Sequence, residues 1–157
     1  MAQFLMQNNT ARRLADGRVI GAGDTIDIEK NFEGLHYLSC KGLLDKGKRK
    51  NVYTEEYADS DRLRVWQGDS ITREATVVEF EFAFVGESRA QAYSDFYTYV
   101  CQGKLVYWDD VRKKKAEFIL IDALAPSEDI FVGSTPYIKS TFKFQNLKGE
   151  CEDAESI

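Results

Sequence analysis

Apolar and polar residues alternate most regularly over Thr76 to Val85 (TVVEFEFAFV), where Val78, Phe80, Phe82 and Phe84 fall on one side and Glu79 and Glu81 on the other. Period two with aromatic rings on one side predicts a half-buried strand with its Phe face inward. Gly86 breaks the run, and Ser88-Arg89-Ala90-Gln91 has the form of a capping box, in which a hydroxyl and an amide satisfy orphan backbone N–H groups. Ala92, Tyr93, Phe96, Tyr97 and Val100 then recur every three or four residues, opposite Arg89, Gln91, Ser94, Asp95 and Thr98. That spacing predicts one amphipathic helix over about 88–102, with Gly103 as its stop.

Beyond the helix, Lys104 to Asp109 (KLVYWD) reads as a short strand, and Asp109-Asp110-Val111-Arg112 as a turn into a strand over Ala116 to Leu124. In that strand Ala116, Phe118, Leu120 and Leu124 share a face while Ile119 and Ile121 lie opposite, which predicts a central strand covered on both sides. The segment APSEDIFVGSTP is assigned to a loop. Tyr137 to Leu147 alternates again, Ile138, Phe142 and Phe144 against Lys139, Thr141, Lys143 and Gln145, so Glu79, Glu81, Lys139 and Lys143 are expected on exposed sheet faces. Leu35–Lys41, Asn51–Tyr57 and Arg62–Trp66 read as earlier strands joined by GLLDKGKRKN. The predicted fold is mainly β (α+β by content): an antiparallel β-sandwich or barrel with one flanking α-helix.

The 157 residues suit a single domain over 1–157 that needs no metal or disulfide staple. Its core is expected over about 35–147, with a loose N-terminal arm of about 1–30, rich in Asn and Gly, and an acidic C-terminal tail, 150–157. The balance of 21 basic and 26 acidic side chains, net −5, disfavours a basic nucleic-acid binder as a description of the whole chain. No apolar stretch approaches a membrane span or an export signal, which predicts a protein made and kept in the cytoplasm.

The candidate chemistry is sparse. His36 is the single histidine, so no His pair can hold a metal or relay a proton, and Cys40, Cys101 and Cys151 match no zinc spacing. Cys40 lies four residues from His36, which in a regular strand means the same face but roughly 13 Å away, too far for a nucleophile pair. Cys101, near the negative end of the helix dipole, is not favoured as a thiolate. The acids Glu55-Glu56, Asp59, Asp61, Asp109-Asp110 and Glu128-Asp129 are types that can pair for glycoside hydrolysis or hold a divalent cation, but Asp59, Asp61 and Asp69 lack the glycine and closing Glu of a calcium loop, and acidic loops of this kind read as solvated turns. Gly21-Ala22-Gly23 follows no strong strand, so no nucleotide site is indicated. The expected catalytic residues, metal and cofactors are none, and no small-molecule substrate is expected. Two basic clusters stand out, Lys46/Lys48/Arg49/Lys50 and Arg112/Lys113/Lys114/Lys115, each in a hairpin connection where charge keeps edges soluble.

The order strand, capped helix, short strand, turn, strand, long strand, carried by FEFAFVGESRAQAYSDFYTYV, GKLVYWDDVRKKKAEFILIDA and GSTPYIKSTFKFQNL, resembles the tail-tube and distal-tail structural proteins of long-tailed bacteriophages. The segment NVYTEEYADSDRLRVW is similar to tail-associated proteins of phages and prophages of gut bacteria. The resemblance implies a tail-tube-like β-sandwich or barrel and a non-enzymatic structural protein. It further implies that copies join into a ring or tube by strand-edge and loop contacts, beside other tail proteins, with DNA passing through. It also implies assembly in the host cytoplasm and residence in the virion tail. The projecting hairpin is expected over Lys48 to Tyr57, with Lys48, Arg49, Lys50, Val52, Tyr53 and Tyr57 as candidate inter-subunit contacts. The alternative reading is a small β-sandwich binding module whose Tyr53, Tyr57, Trp66 and Trp108 line a cleft for a carbohydrate or peptide.

Overall fold

The alternation over Thr76–Val85 becomes a strand with those bounds, and Val78, Phe80, Phe82 and Phe84 are all buried. The computed structural model describes residues 4–50, 52–56, 63–67 and 73–154, with side chains described outside 51–72. In chain order the elements are β1 (Phe4–Asn8), β2 (Arg12–Arg13), β3 (Val19–Ile20), β4 (Ile26–Asp27), the one-turn helix α1 (Ile28–Asn31), β5 (Leu35–Lys41), β6 (Val52–Glu56) and β7 (Leu63–Gln67). They continue with β8 (Thr76–Val85), α2 (Arg89–Val100), β9 (Leu105–Asp109), β10 (Lys114–Ala123), β11 (Ile130–Val132), β12 (Thr135–Asn146) and β13 (Glu152–Asp153).

One antiparallel sheet runs in the order β4-β1-β9-β10-β12-β8-β5, with β11 paired to β12 and β13 to β10, while β2–β3 and β6–β7 form separate hairpins. The sheet curls until its ends meet. Phe4 of β1 stacks on Tyr37 of β5 with ring centroids 4.1 Å apart, although four strands separate them in the order. Across the interior Phe80 of β8 meets Tyr107 of β9 at 5.0 Å. The fold is thus mostly β, a sandwich-like rolled sheet with helix against it, as the pattern predicts.

The helix α2 packs through Phe96, whose ring lies 5.0 Å from those of Phe82 and Phe142 and 5.3 Å from that of Phe32. Two details depart from expectation. Ser88 makes no side-chain cap bond, and the Gln91 amide donates instead to Asp95 Oδ1 at 3.0 Å. The buried stripe is Ala92, Asp95, Phe96, Tyr99 and Val100, whereas Tyr97 is 43% exposed. At about 100° per residue those five positions share one face and Tyr97 falls off it.

The pattern predicts a core from about residue 35, yet burial begins at Phe4 and takes in Leu5, Met6, Leu14, Ile26 and Ile28. What ties this segment down is polar. Asn8, 1% exposed, donates its Nδ2 to the carbonyls of Tyr99 (2.9 Å) and Gln102 (2.8 Å), closing the C-terminus of α2 from β1. Arg12 adds Nε and Nη2 to the Thr98 carbonyl, a cation where the helix dipole is negative. Gly103 follows with φ 92°, and a Cβ there would fall 2.2 Å from Asn8 Oδ1. At the other terminus β13 pairs with β10, and Lys148 holds Glu152 at 2.7 Å, so residues 152–153 of the acidic tail belong to the sheet.

The strand β10 is central in the ladder, as predicted, but it is not covered on both sides: Ile121 is 50% exposed, and Leu124, just past the strand's end, is 45% exposed rather than inward with Phe118. A register shift between Leu120 and Asp122 places Ile121 in a bulge. A second shift, between Tyr37 and Ser39, changes the parity of β5. Tyr37 and Cys40 both pack on the core while His36 is exposed, so His36 and Cys40 lie on opposite faces rather than on one. The seam beside them is closed by Asp109, whose Oδ1 accepts from the backbone N–H of Val111 (3.1 Å) and Arg112 (3.0 Å) and whose Oδ2 accepts from Arg112 Nη1 (3.2 Å) and Tyr107 OH (3.3 Å). Burial pushes the Cys40 thiol up to about 11 and raises the Tyr37 and Tyr107 hydroxyls.

Three outcomes follow from this packing. Phe80 touches the rings of Tyr37, Phe82, Tyr107, Phe118 and Phe144, so Phe80→Ala should cost roughly 3–5 kcal/mol in denaturant unfolding. Glu79→Gln on the wet face should change stability by no more than about 0.5 kcal/mol. In thiol labelling followed by peptide mass analysis at pH 8, exposed Cys101 should react first. Cys40 should stay protected until the pH nears 11, because only the thiolate reacts. Equal rates at pH 8 would mean that the β1–β5 seam opens readily.

Candidate functional site

The two basic clusters that look alike in sequence separate in three dimensions. Arg112 pairs with Asp109, Lys113 with Asp110 (2.8 Å) and Lys114 with Asp153, while Lys115 sits 5.8 Å over the Trp108 ring. That cluster is consumed internally. Lys46, Lys48 and Lys50 are exposed and make no ion pair among the described residues. Their loop is nonetheless anchored: Gly47 N donates to the Gly149 carbonyl at 2.7 Å, Glu74 N to the Lys48 carbonyl at 2.8 Å, and Arg49 bridges Arg73 through the backbone. A Cβ at Gly47 would fall 1.8 Å from the Glu74 carbonyl oxygen, which explains a glycine there.

The candidate contacts Lys48, Arg49 and Lys50 lead directly into the hairpin β6–β7, in which Val52 opposes Gln67 and Tyr53 opposes Trp66. Tyr57 lies outside the described residues. On the wet face Lys139 and Glu81, and Lys143 and Glu79, stand 3.8 Å apart across β12 and β8, all partly exposed. Exposed pairs of this kind keep a sheet face soluble and contribute little stability.

The strand β5 ends the sheet, so among the described residues it has one paired neighbour, β8, and its other edge is open. His36, Leu38, Ser39 and Lys41 are exposed along it. An open edge presents N–H and C=O groups to which another strand can add; the bulge at Leu38 and the charge of Lys41 interrupt it.

A second feature escapes the loop assignment of APSEDIFVGSTP. Ile130–Val132 pairs with Thr135–Tyr137 as the hairpin β11–β12, with Gly133 at φ 64° in its turn. Phe131 is 62% and Val132 69% exposed at its tip. The readable signal is Gly133-Ser134 between two strand-forming stretches. Arg89 of α2 grips Asp129 beside it, Nε to Oδ1 at 2.8 Å.

A polar hollow of about 350 Å³ lies between α1 and the start of α2, lined by Asp16, Arg18, Lys30, Glu33, Gln91 and Asp95. Its charges largely satisfy one another. Arg18 Nε holds Asp16 at 2.7 Å, and Asp95 Oδ1 accepts from the Asp16 N–H at 3.0 Å. The hydrogen bond from the Arg18 N–H holds the Asp16 carboxyl below the usual carboxylate range.

No family model matches the sequence, and no curated protein matches it. Among solved structures, a chain from the phage P2 baseplate in its activated conformation with Ca superposes with a TM-score of 0.51 and 18% identity, covering 89% of this chain and 43% of that one. The protein thus spans less than half the length of the chain it matches, and what the two share is a fold.

Proposed function

We propose that this protein is a non-enzymatic structural subunit of a bacteriophage tail or baseplate, joining copies of itself and neighbouring tail proteins into a ring or tube. The fold shared with a phage P2 baseplate chain over 89% of the residues carries this reading. The surface features support it. Strand addition needs an unpaired edge, which β5 supplies, and loop contacts need projecting segments, which Lys48–Lys50 with the hairpin β6–β7 and the tip of β11–β12 supply. In this reading Val52, Tyr53 and Tyr57 of the hairpin meet an adjacent subunit of the same ring, and Lys48, Arg49 and Lys50 at its base meet a copy outside that ring. The paired charges of the β8–β12 face suit a lumen through which DNA passes without being held, because affinity for the phosphate backbone scales with unneutralised cations. Assembly takes place in the host cytoplasm and the product resides in the virion tail.

The test is assembly of the full chain, followed by native mass spectrometry and negative-stain microscopy, alone and with co-expressed tail proteins. Closed rings are expected. Leu38 occupies the β5 bulge, outside the β8 register, so Leu38→Pro should block strand addition while leaving the melting temperature nearly unchanged. Rings should then give way to monomers. A parent chain that stays monomeric under all these conditions overturns the reading.

A further inference from the structure

The strands β5, β8 and β12 run between two poles of the molecule that differ in chemistry. At one pole lie the start of β5, the end of β8 and the start of β12, joined by hydrogen bonds from Val85 N to the Gly34 carbonyl and from Gly86 N to the Pro136 carbonyl. Here the exposed tip Ile130, Phe131 and Val132 stands in a setting with exposed Glu33, Glu87 and Glu128, none of which makes an ion pair among the described residues, and these three acids outnumber the exposed Lys30 that lines the hollow with Glu33. At the other pole, roughly 30–40 Å away by strand length, lies the loop anchored on Gly149 and Glu74. It presents Leu44, 60% exposed, with Lys46, Lys48 and Lys50 outnumbering the exposed Asp45 and Glu74 of the same loop and its anchor.

We propose that these poles are complementary docking faces between two copies of this chain, the β11–β12 tip of one copy seating against the 44–50 loop of the next. Charge selects the occupant. A chain of net charge −5 repels its own copies at long range, so self-contact requires local opposition of charge. The excess of carboxylates at one end and of ammonium groups at the other, without ion-pair partners among the described residues, provides it, each with an apolar centre that excludes water. Because the two faces lie at opposite ends, the contact is head-to-tail, and repeating it produces an open stack rather than a closed dimer.

A three-residue tip buries far less than the about 1,200 Å² of a stable standard interface, so one such contact is weak. It becomes effective when several act at once, as when ring meets ring. The proposal therefore rests on the ring reading above and adds the surface by which rings stack.

The experiment follows ring and stack populations of the full chain by negative-stain microscopy and sedimentation at low and high salt. Four variants are compared with the parent: Phe131→Ser with Val132→Ser; Lys46→Glu with Lys48→Glu and Lys50→Glu; Glu33→Lys with Glu87→Lys and Glu128→Lys; and the two charge reversals combined. All these side chains are exposed, and unchanged melting curves confirm that each variant folds. The parent should stack, and its stacks should shorten as salt screens the contact. The tip variant and each single reversal should leave rings intact and reduce stacking at least about tenfold, and the combined reversal should restore it. Variants that stack like the parent, a combined reversal that fails to restore stacking, or a parent that forms rings but never stacks would each overturn the proposal and leave the ring reading standing. A parent that forms neither rings nor stacks overturns both.

Discussion

The rolled sheet is closed by side chains and not by a hydrogen-bonded ladder, and most of what is distinctive in the molecule depends on this. Between β1 and β5 the seam consists of the Phe4–Tyr37 stack and the buried Asp109–Arg112 contact beside it. A barrel closed by backbone pairing has no edges, whereas one closed by packing keeps them. The core receives the apolar area of both halves of the sheet, and among the described residues the outer edge of β5 has no strand partner. Stability and the capacity to accept a neighbouring strand arise from the same geometry.

Buried polar residues then fix what the aromatic core alone would leave adjustable. Apolar packing is tolerant of rearrangement provided that volume is conserved. A buried amide or carboxylate is not, since each unsatisfied group costs about 1–3 kcal/mol. Asn8 joins β1 to the end of α2, Asp95 joins α2 to the turn at Asp16, and Asp109 orders the β9–β10 turn at the seam. Each is at most 4% exposed, and the first two bridge residues some 80–90 positions apart in the chain. Through them the N-terminal segment becomes part of the sheet and α2 acquires a unique position on it.

This division explains what could be read from the sequence and what could not. Long alternating stretches carry their burial pattern locally, and β8, β12 and α2 are found within a residue or two of their expected bounds. The first strand is short and ends in Asn-Asn, whose propensity is for a turn; only the distant carbonyls of Tyr99 and Gln102 turn Asn8 into a helix cap. Tyr97 and Tyr99 are equivalent in composition, and rotation about the helix axis decides between them. The exposed position of Lys48 and Lys50 was legible as charge in a hairpin connection. That Arg112–Lys115, equally basic, is neutralised could be learned only from Asp153 and Trp108, which the fold brings alongside.

An architecture of this kind also separates its exposed surfaces from the packing that holds its core. Strand addition at β5 draws on N–H and C=O groups that every non-proline residue carries, and the core asks for ring volume more than for particular side chains. Two chains can then keep one fold at 18% identity. Side-chain identity matters most in exposed loops and hairpin tips that the core does not constrain. Lys46, Lys48 and Lys50, without an ion-pair partner among the described residues, and the apolar tip at Phe131 are such places, because neither is part of the buried core.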